Sequence, residues 1–218
     1  PRDVTRARNT PQGRAVRKKP RMPSDGPSVT HPTRVVFPED GITKVQLAAY
    51  YEAVRPGLWP HLRDRPLSVL RSVAQGKNFF QRHLDDAQAA GFRKVSPPAG
   101  SSASEPFFAA TGDAAVNVLA QMGAVELHTW GSRVPRVDLA DRLTFDVDPD
   151  PLLDWQPVCS AAALIRDLLA ALGLESQLKT SGGQGLHVVV PLQGKLPDFA
   201  TAADFTRRIA THLAHAIP

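Results

Sequence analysis

The sequence predicts an α+β fold in which a mixed, largely antiparallel sheet is flanked by helices. Short stretches with alternating apolar side chains, typical of strands, are interspersed with stretches whose apolar residues recur every three or four positions, typical of helices. Several strand stretches follow one another with only a turn or a short connection between them, which favours antiparallel hairpins over a regular parallel sheet. The 218 residues contain no internal repeat.

The first half of the chain is predicted to begin with a helix and to continue in short strands. Thr43 is a suitable N-cap, and apolar side chains recur at helical spacing from Val45 until Pro56, where proline is expected to end the helix. The other elements predicted here are the strands Pro66–Arg71 and Phe79–His83 on either side of a turn at Gln75-Gly76, a loop rich in Ser, Pro and Ala over residues 96–106, and a helix, Ala114–Met122, that ends at Gly123.

The second half combines strands with two longer helices. The clearest helix is predicted for Pro157–Leu172, with Gly173 at its end. Its predicted apolar stripe consists of Val158, Ala161, Leu164, Ile165, Leu168 and Leu172. The other elements predicted here are the strands Ala124–His128, Leu143–Asp148 and Leu186–Leu192 and an amphipathic final helix, Phe199–Ala214.

The composition excludes several classes of protein. The single cysteine, Cys159, rules out a disulfide framework, and without a cysteine pair no zinc ribbon or zinc finger can form. The apolar runs are short or interrupted by charges, so we expect no membrane-spanning segment. No leader of charged and then apolar residues opens the sequence, and we therefore expect a cytoplasmic protein.

The net charge of +5 is distributed unevenly. Residues 1–23 contain eight basic side chains and one acidic one, whereas residues 24–218 contain 18 basic and 20 acidic side chains. The basic segment has several prolines and few large apolar residues, so it cannot bury enough surface to offset the entropy of ordering. We interpret residues 1–30 as a disordered arm or interdomain linker, which either solubilises the chain or contacts a phosphate backbone, and residues 31–218 as the domain.

Asp146 and Asp148 are the strongest candidates for a catalytic or metal site. They lie at the end of a predicted strand, and because side chains alternate across a strand, both carboxylates are expected on one face and Val147 on the other. Carboxylate oxygens are ligands that Mg²⁺ and Mn²⁺ prefer. The pair alone also fits two solvated acids that open the turn at Pro149, so both interpretations stay open.

A glycine-rich segment, Lys179–His187, follows one helix later. Its three glycines allow the backbone to approach a ligand closely, and successive N–H groups can bind an anion. It lacks the Gly-Lys-Ser/Thr ending and the following helix of a P-loop, so it fits either an anion-binding turn or an ordinary turn between strands. The single intervening helix would bring this turn and the carboxylates to neighbouring strand ends. Such a layout is typical of metal-assisted phosphoryl or nucleotidyl transfer.

Five motifs extend this candidate site along the chain. They are His31-Pro-x-Arg34-Val-x-Phe-Pro-x-x-Gly-x-Thr-Lys44, Phe79-Phe80-Gln81-Arg82-His83, Glu126-Leu127-His128-x-Trp130, Phe145-Asp146-x-Asp148-Pro149 and Lys179-Thr-Ser-Gly-Gly-x-Gly-Leu-His187. Together and in this order they resemble the polymerase domain of bacterial DNA ligase D, a member of the archaeo-eukaryotic primase superfamily. The resemblance extends from residue 31 to about residue 215 and implies a primase-polymerase core.

The resemblance also implies roles for the matching residues. Asp146 and Asp148 would be the catalytic acids that bind Mn²⁺ or Mg²⁺. For one of two neighbouring phenylalanines, Phe79 and Phe80, core packing is an equally good interpretation, and Arg71 also fits a solvated strand end. The implied nucleotide-binding residues, for an NTP or dNTP substrate, are His128, Lys179, Ser181, Gly183 and His187, and the implied DNA-binding residues are Arg34, Lys44, Arg71, Phe79, Phe80 and Arg82.

One part of the family's pattern has no match. The family uses a third metal-binding Asp on a strand well beyond the glycine-rich motif, and no such strand is recognisable before Pro218. Asp198 and Asp204 are the only later acids, and neither lies in a matching context. We therefore expect a domain that is incomplete at its C-terminal end, with an incomplete metal site and little or no activity.

The function implied by the resemblance is a DNA-end-directed nucleotidyltransferase of bacterial non-homologous end joining, which fills gaps and prefers ribonucleotides. Two alternatives stay open: a catalytically inactive module that binds DNA ends, and a primase-like enzyme that starts chains without a primer. The implied partners are double-stranded DNA ends and gaps with a 5′-phosphate, an ATP-dependent ligase module in the same or a partner chain, and a Ku-type protein. The implied location is the bacterial cytoplasm, in association with the nucleoid.

Overall fold

The computed structural model describes residues 29–73, 78–85, 88, 90–97 and 105–216. Residues 1–28 of the predicted arm, the turn at Gln75-Gly76 and residues 98–104 of the predicted loop lie outside the described residues. The elements within these ranges are, in chain order, β1 (Val35–Phe37), β2 (Ile42–Thr43), α1 (Lys44–Leu62), β3 (Pro66–Ser72), β4 (Asn78–Gln81), β5 (Phe92–Val95), β6 (Phe107–Ala110), α2 (Ala114–Met122), β7 (Ala124–Thr129), β8 (Arg142–Val147), α3 (Trp155–Ala171), β9 (Gln177–Thr180), β10 (Leu186–Pro191) and α4 (Phe199–Ala216).

The first sheet is built around β3. One edge of β3 pairs with β7, whereas its other edge pairs with β6 near its start and with β4 near its end. β5 pairs with β6 and extends the sheet, and β1 and β2 form a separate short hairpin. Every strand pair among the described residues is antiparallel, in both this sheet and the second one. The structure thus confirms the predicted α+β class with a largely antiparallel sheet.

Two helices cover one face of the first sheet and enclose the first core. Leu67, Val69 and Phe108 are buried on the sheet side, and Leu119 of α2 is buried opposite them. Further buried members of this core include Val36, Leu47, Ala48, Tyr51, Leu62, Val116 and Met122. On β7, Glu126 and His128 lie on the other face and are about half exposed.

The first helix is longer than predicted. Thr43 begins it as expected, and its backbone N–H donates to Gln46 Oε1 at 2.8 Å. The predicted end at Pro56 is wrong, because α1 continues through this proline to Leu62. Leu62 is buried in the first core, so tertiary packing of the last turns outweighs the hydrogen bond that the proline ring removes.

The second sheet consists of three strands in the order β8, β10, β9. β10 lies in the centre and pairs with both neighbours in an antiparallel direction. The helices α3 and α4 pack against this sheet and enclose the second core. Among all the residues that the structure describes, no helix is long and apolar enough to cross a membrane. The buried core residues are Ala140, Leu143, Phe145, Val158, Ala162, Ile165, Leu169, Leu186, Val188, Val190, Ala202 and Ile209.

The buried stripe of α3 differs from the predicted one. Leu164 and Leu172, which were expected in the core, are exposed, whereas Ala162 and Leu169 are buried. α3 presents one line of residues to β10, and the predicted stripe was drawn too wide because apolar residues continue onto the solvent side of this helix. The helix itself occupies Trp155–Ala171, close to the predicted range.

An ion pair joins the two sheets. Arg65, just before β3, makes two hydrogen bonds to Asp141, just before β8, with 2.7 Å from Nη1 to Oδ1 and 2.7 Å from Nη2 to Oδ2. Next along the chain, Arg142 Nη2 donates to Thr129 Oγ1 at 2.5 Å and to the Trp130 carbonyl oxygen at 2.9 Å. The end of β7 is therefore tied to the start of β8.

Candidate active site

Three predicted site residues form a row across the second sheet. His187 on β10 is in register with Asp146 on β8 and with Lys179 on β9. Residues directly opposite each other on antiparallel strands share a face of the sheet, so the three side chains are neighbours. His187 Nε2 lies 3.1 Å from Asp146 Oδ1. The row therefore places an imidazole between a carboxylate and an ammonium group.

Asp148 lies beside this row, just after β8. Like Asp146 it is exposed, whereas Val147 between them packs against the second core. The two carboxylates thus lie on the common face expected from strand alternation. Asp148 Oδ1 lies directly over Gly185, where a Cβ would clash with it and would come within 2.8 Å of the Val147 carbonyl oxygen. Glycine at position 185 is therefore required for this placement of Asp148.

The glycine-rich turn is closed by the hydroxyl group of Ser181. Ser181 Oγ accepts hydrogen bonds from the N–H groups of Gly183 at 3.3 Å and Gly185 at 3.2 Å. The same hydroxyl donates to the Gly185 carbonyl oxygen at 3.0 Å. Two amides that could bind an anion are thus satisfied within the turn, and an anion would have to replace the hydroxyl at these amides or bind through it.

Lys179 lies in an electrostatic environment that weakens its protonated form. Partial desolvation lowers the pKa of Lys179, and repulsion from Arg142 lowers it further, while Asp146 acts in the opposite direction. Burial also lowers the pKa of Arg142 to about 10. Arg142 remains cationic near neutral pH, so this end of the second sheet carries positive charge next to the two carboxylates.

The predicted DNA-binding cations Arg34, Lys44 and Arg71 form a separate cluster between the end of β3 and the start of α1. Arg34 Nε and Nη2 are buried and have no hydrogen-bond partner among the residues that the structure describes. Burial lowers the pKa of Lys44 and of Arg71, and repulsion from Arg34 lowers both further. Gly123 leaves room for this cluster, since a Cβ there would come within 2.6 Å of Arg34 Nη2. The cluster is therefore a concentration of partly buried positive charge.

Two of these cations also support the local structure. Lys44 Nζ donates to the Thr30 carbonyl oxygen at 2.9 Å and lies 3.4 Å from Gln121 Oε1. Arg71 Nε donates to the Met122 carbonyl oxygen at 3.1 Å, and Arg71 Nη1 donates to Gln81 Oε1 at 2.7 Å. The interpretation of Arg71 as a solvated strand end is therefore wrong. Its guanidinium group is held by backbone and side-chain acceptors.

The two phenylalanines of β4 point to opposite faces of the strand. Phe79 is 53% exposed and Phe80 is 43% exposed, so neither packs in the core, and the alternative of core packing for one of them is wrong. β4 is a four-residue edge strand whose only buried side chain is Gln81, which explains this exposure. Phe79 is in register with Arg71 and borders the basic cluster.

Phe80 belongs to a third group, together with His128 on β7. The two rings meet edge to face with their centroids 5.4 Å apart, and the Arg82 guanidinium carbon lies 5.4 Å from the Phe80 centroid. His128 Nε2 is 2.8 Å from Glu126 Oε2. An aromatic ring, an imidazole and a carboxylate thus lie side by side on the face of the first sheet that the helices leave open.

Asp146 and Asp148 fit a hard divalent cation as ligands. Mg²⁺ commonly binds through one or two carboxylates and completes its shell with water and substrate phosphates, and Mn²⁺ accepts similar oxygen ligands. Within the described ranges, no group of three or more His, Cys, Asp or Glu side chains could hold a metal ion. Asp198 caps α4 by accepting a hydrogen bond from the Thr201 N–H at 2.7 Å, and Asp204 pairs with Arg208. Neither residue adds a third ligand to Asp146 and Asp148.

Three residues that shape the site were not predicted from the sequence. Glu126, Arg142 and Gly185 were not among the candidates, although Glu126 and Gly185 lie inside the motifs. Alternation along β7 would have placed Glu126 beside His128, because residues two apart share a face. The contacts of Arg142 and Gly185 cross between strands, and no pattern within one segment indicates them.

Comparisons with known proteins give a consistent result. A family model described as the primase-polymerase domain of LigD matches residues 43–218. The multifunctional non-homologous end joining protein LigD of Pseudomonas aeruginosa is 33% identical over 200 residues, covering 91% of this chain and 24% of that protein. The bifunctional LigD protein of Bacillus subtilis is 25% identical over 191 residues, covering 85% of this chain and 30% of that protein. The chain thus spans about a quarter of the length of these relatives.

A solved structure resembles the whole fold. It is the polymerase domain from Mycobacterium tuberculosis ligase D in complex with DNA, with a TM-score of 0.78 and 27% sequence identity. The match covers 88% of this chain and 69% of the solved one.

Proposed function

The chain belongs to the LigD primase-polymerase family, and from this membership we propose that it adds nucleotides to DNA ends in bacterial non-homologous end joining. The reaction would be template-directed, with a nucleoside triphosphate as substrate and DNA gaps or ends as the site of addition. The observation that carries the proposal is the row of Asp146, His187 and Lys179, with Asp148 and the glycine-rich turn beside it.

Each member of this group has a chemical task in the proposal. Asp146 and Asp148 would hold Mn²⁺ or Mg²⁺, which neutralises the triphosphate and makes the primer 3′-hydroxyl more acidic when it is bound. His187 holds the Asp146 carboxylate by its contact at 3.1 Å. Lys179 supplies positive charge for the phosphates, and the glycine-rich turn lets the backbone approach them closely.

Primer extension on a gapped duplex with NTPs and Mn²⁺ tests this proposal. We expect the parent chain to extend the primer only weakly, because the described ranges offer two carboxylates and no third metal ligand, and we expect Asp146→Asn or Asp148→Asn to abolish extension while DNA binding persists. Asp167→Asn is the matched control, because Asp167 is exposed on α3 and pairs only with the neighbouring Arg166 in the described part of the chain. Full extension by Asp148→Asn would remove the carboxylates from the mechanism.

We further propose that the basic cluster of Arg34, Lys44 and Arg71 binds the 5′-phosphate of the gap. The proposal is supported by the two buried nitrogen atoms of Arg34 that have no acceptor among the described residues. Such groups are costly unless an anion or another acceptor satisfies them. Arg34→Met should therefore weaken binding to 5′-phosphorylated gaps more than to unphosphorylated ones. Equal losses on both substrates would indicate only a general electrostatic role.

A second candidate function is a DNA-end-binding module without catalysis. The observation that favours it is the small ligand set, since the described ranges offer two carboxylates and no cluster of three metal ligands. The extension assay separates the candidates: binding to the gapped duplex without extension favours the module, and synthesis on single strands without a primer favours a primase-like enzyme. Comparing NTPs with dNTPs in the same assay tests the ribonucleotide preference, and adding a LigD-type ligase tests whether extended gaps become sealed.

A further inference from the structure

Glu126 and His128 form a pair on the open face of the first sheet. The proposed function gives Glu126 no role. Both lie on β7, two residues apart, and both side chains are about half exposed. His128 Nε2 and Glu126 Oε2 are 2.8 Å apart, a distance typical of a hydrogen bond to a carboxylate. Within the described ranges, His128 has no second hydrogen-bond partner, so its other ring nitrogen is open to a ligand.

The chemistry of the pair fixes which nitrogen carries the hydrogen. An ionised carboxylate can only accept hydrogen bonds, so Nε2 must be the donor and Nδ1 of the neutral imidazole is left as an acceptor. Phe80 meets the imidazole edge to face at 5.4 Å and limits its rotation. Arg82 in turn lies over the Phe80 ring. The ring of His128 is therefore held from two sides, by a hydrogen bond and by an aromatic contact.

We propose that Glu126 is a positioning residue that acts through His128: it holds the imidazole in the Nε2–H form, so that Nδ1 accepts a hydrogen bond from a hydroxyl or amino group of the nucleotide. This inference rests on the proposed function, since it assumes a nucleotide as the ligand. The ligand group that His128 would bind is then on the sugar or the base of the nucleotide. The phosphates are excluded, because phosphate oxygens are acceptors and cannot hydrogen-bond to an unprotonated Nδ1.

The state of His128 can be measured without any ligand. Imidazole ¹⁵N shifts of His128 should report the Nε2–H form in the parent chain and a mixture of tautomers in Glu126→Ala. Glu126→Gln keeps an acceptor oxygen at the same distance along the side chain and should restore part of the parent signal. Unchanged His128 shifts in Glu126→Ala would overturn the positioning role, whatever the chain does with nucleotides.

Ligand binding then tests which part of the nucleotide is recognised. We expect Glu126→Ala and His128→Ala each to weaken ATP binding by about threefold to tenfold, the effect of losing one hydrogen bond, and the double variant to be no weaker than His128→Ala alone. Inorganic triphosphate should bind all variants equally. An additive double variant would overturn the action through His128, and an equal loss for inorganic triphosphate would overturn the assignment to sugar or base.

The control variant and the parent chain separate this inference from the proposed function. Glu105→Ala removes the carboxylate of another exposed pair, Glu105 and His83, whose nearest atoms are 3.4 Å apart, and it should leave ATP binding unchanged. If the parent chain binds neither ATP nor inorganic triphosphate, the proposed function fails, while the ¹⁵N measurement still decides whether Glu126 positions His128.

Discussion

Asp148 keeps its position because residue 185 carries no side chain. Gly185→Ala would place a methyl group against Asp148 Oδ1 and within 2.8 Å of the Val147 carbonyl oxygen. Backbone atoms of two paired strands cannot give way easily, so the carboxylate must move. We expect Mn²⁺ affinity, measured by electron paramagnetic resonance titration, to fall about tenfold or more, as for an overpacked site.

The matched control for this substitution is Gly57→Ala, because no atom lies within 4 Å of the Cβ that residue 57 would gain. This variant should bind Mn²⁺ like the parent chain. A Gly185→Ala protein with parental Mn²⁺ affinity would show that Asp148 either tolerates the displacement or takes no part in binding the ion.

Arg34 is expected to lower the stability of the free protein. Two of its nitrogen atoms are buried without an acceptor in the described part of the chain, and its charge repels Lys44 and Arg71. Arg34→Met keeps a long, unbranched side chain but removes the guanidinium group and its charge. The free energy of unfolding should therefore rise by about 1 kcal/mol in urea titrations. Arg93→Met, at an exposed position on β5, should change it little.

We also expect Arg34→Met to change the pKa of Lys44. Repulsion from Arg34 is one cause of the lowered pKa of Lys44, so removing this positive charge should raise that pKa toward its ordinary value. An NMR titration of the Lys44 side chain measures the change. A fall in stability together with an unchanged Lys44 pKa would mean that Arg34 acts mainly by packing.

At this scale, the sequence predicted which side chains share a strand face better than it predicted long-range contacts. Alternation alone placed Asp146 and Asp148 on one face, because that property is local to one strand. The partners of Lys44 could not be predicted, since Thr30 and Gln121 are 14 and 77 residues away along the chain. Long-range contacts of this kind depend on the packing of α1 against α2, which no periodicity encodes.

Among the elements, α1 contains features that normally weaken a helix. It includes Pro56 and Pro60 and an exposed glycine, Gly57, between them. Gly57→Ala removes backbone freedom from the unfolded chain and meets no neighbouring atom, so it should raise the free energy of unfolding by about 0.5–1 kcal/mol. Urea denaturation followed by circular dichroism measures this. A loss of stability would mean that α1 needs the flexibility of glycine between its prolines.

The elements also differ in how well the sequence predicts them. α2 was predicted with its observed bounds, because its apolar periodicity ends at Gly123, which adopts the left-handed conformation that favours glycine. β9 was missed because all four of its residues are exposed on an edge strand, which leaves no apolar alternation to detect. β5 and β6 lie on either side of the loop predicted for residues 96–106, and no element was predicted for either strand.

The described part of the molecule has two hydrophobic cores, and the predicted site residues lie on both sheets. His128 and Phe80 belong to the first sheet, whereas Asp146, Asp148 and His187 belong to the second. The contacts between the sheets therefore determine where these groups lie relative to one another. Arg65 and Asp141 are only 6% and 17% exposed, and Arg133 Nε also lies 3.2 Å from Asp141 Oδ2. We expect this ion pair to fix the position of one sheet relative to the other.

Replacing Asp141 should therefore weaken the contact between the two sheets. Asp141→Ala leaves the buried Arg65 guanidinium without its carboxylate, and breaking a buried pair in this way should lower the free energy of unfolding by about 3 kcal/mol. Asp167→Ala is the control, because it breaks an ion pair that is 63% exposed on both sides and should cost at most about 0.5 kcal/mol. Hydrogen exchange should show β3 and β10 opening together in the parent chain and separately in Asp141→Ala, since each sheet keeps its own core. If the two strands still open together in that variant, the cores are coupled by packing and not by the ion pair.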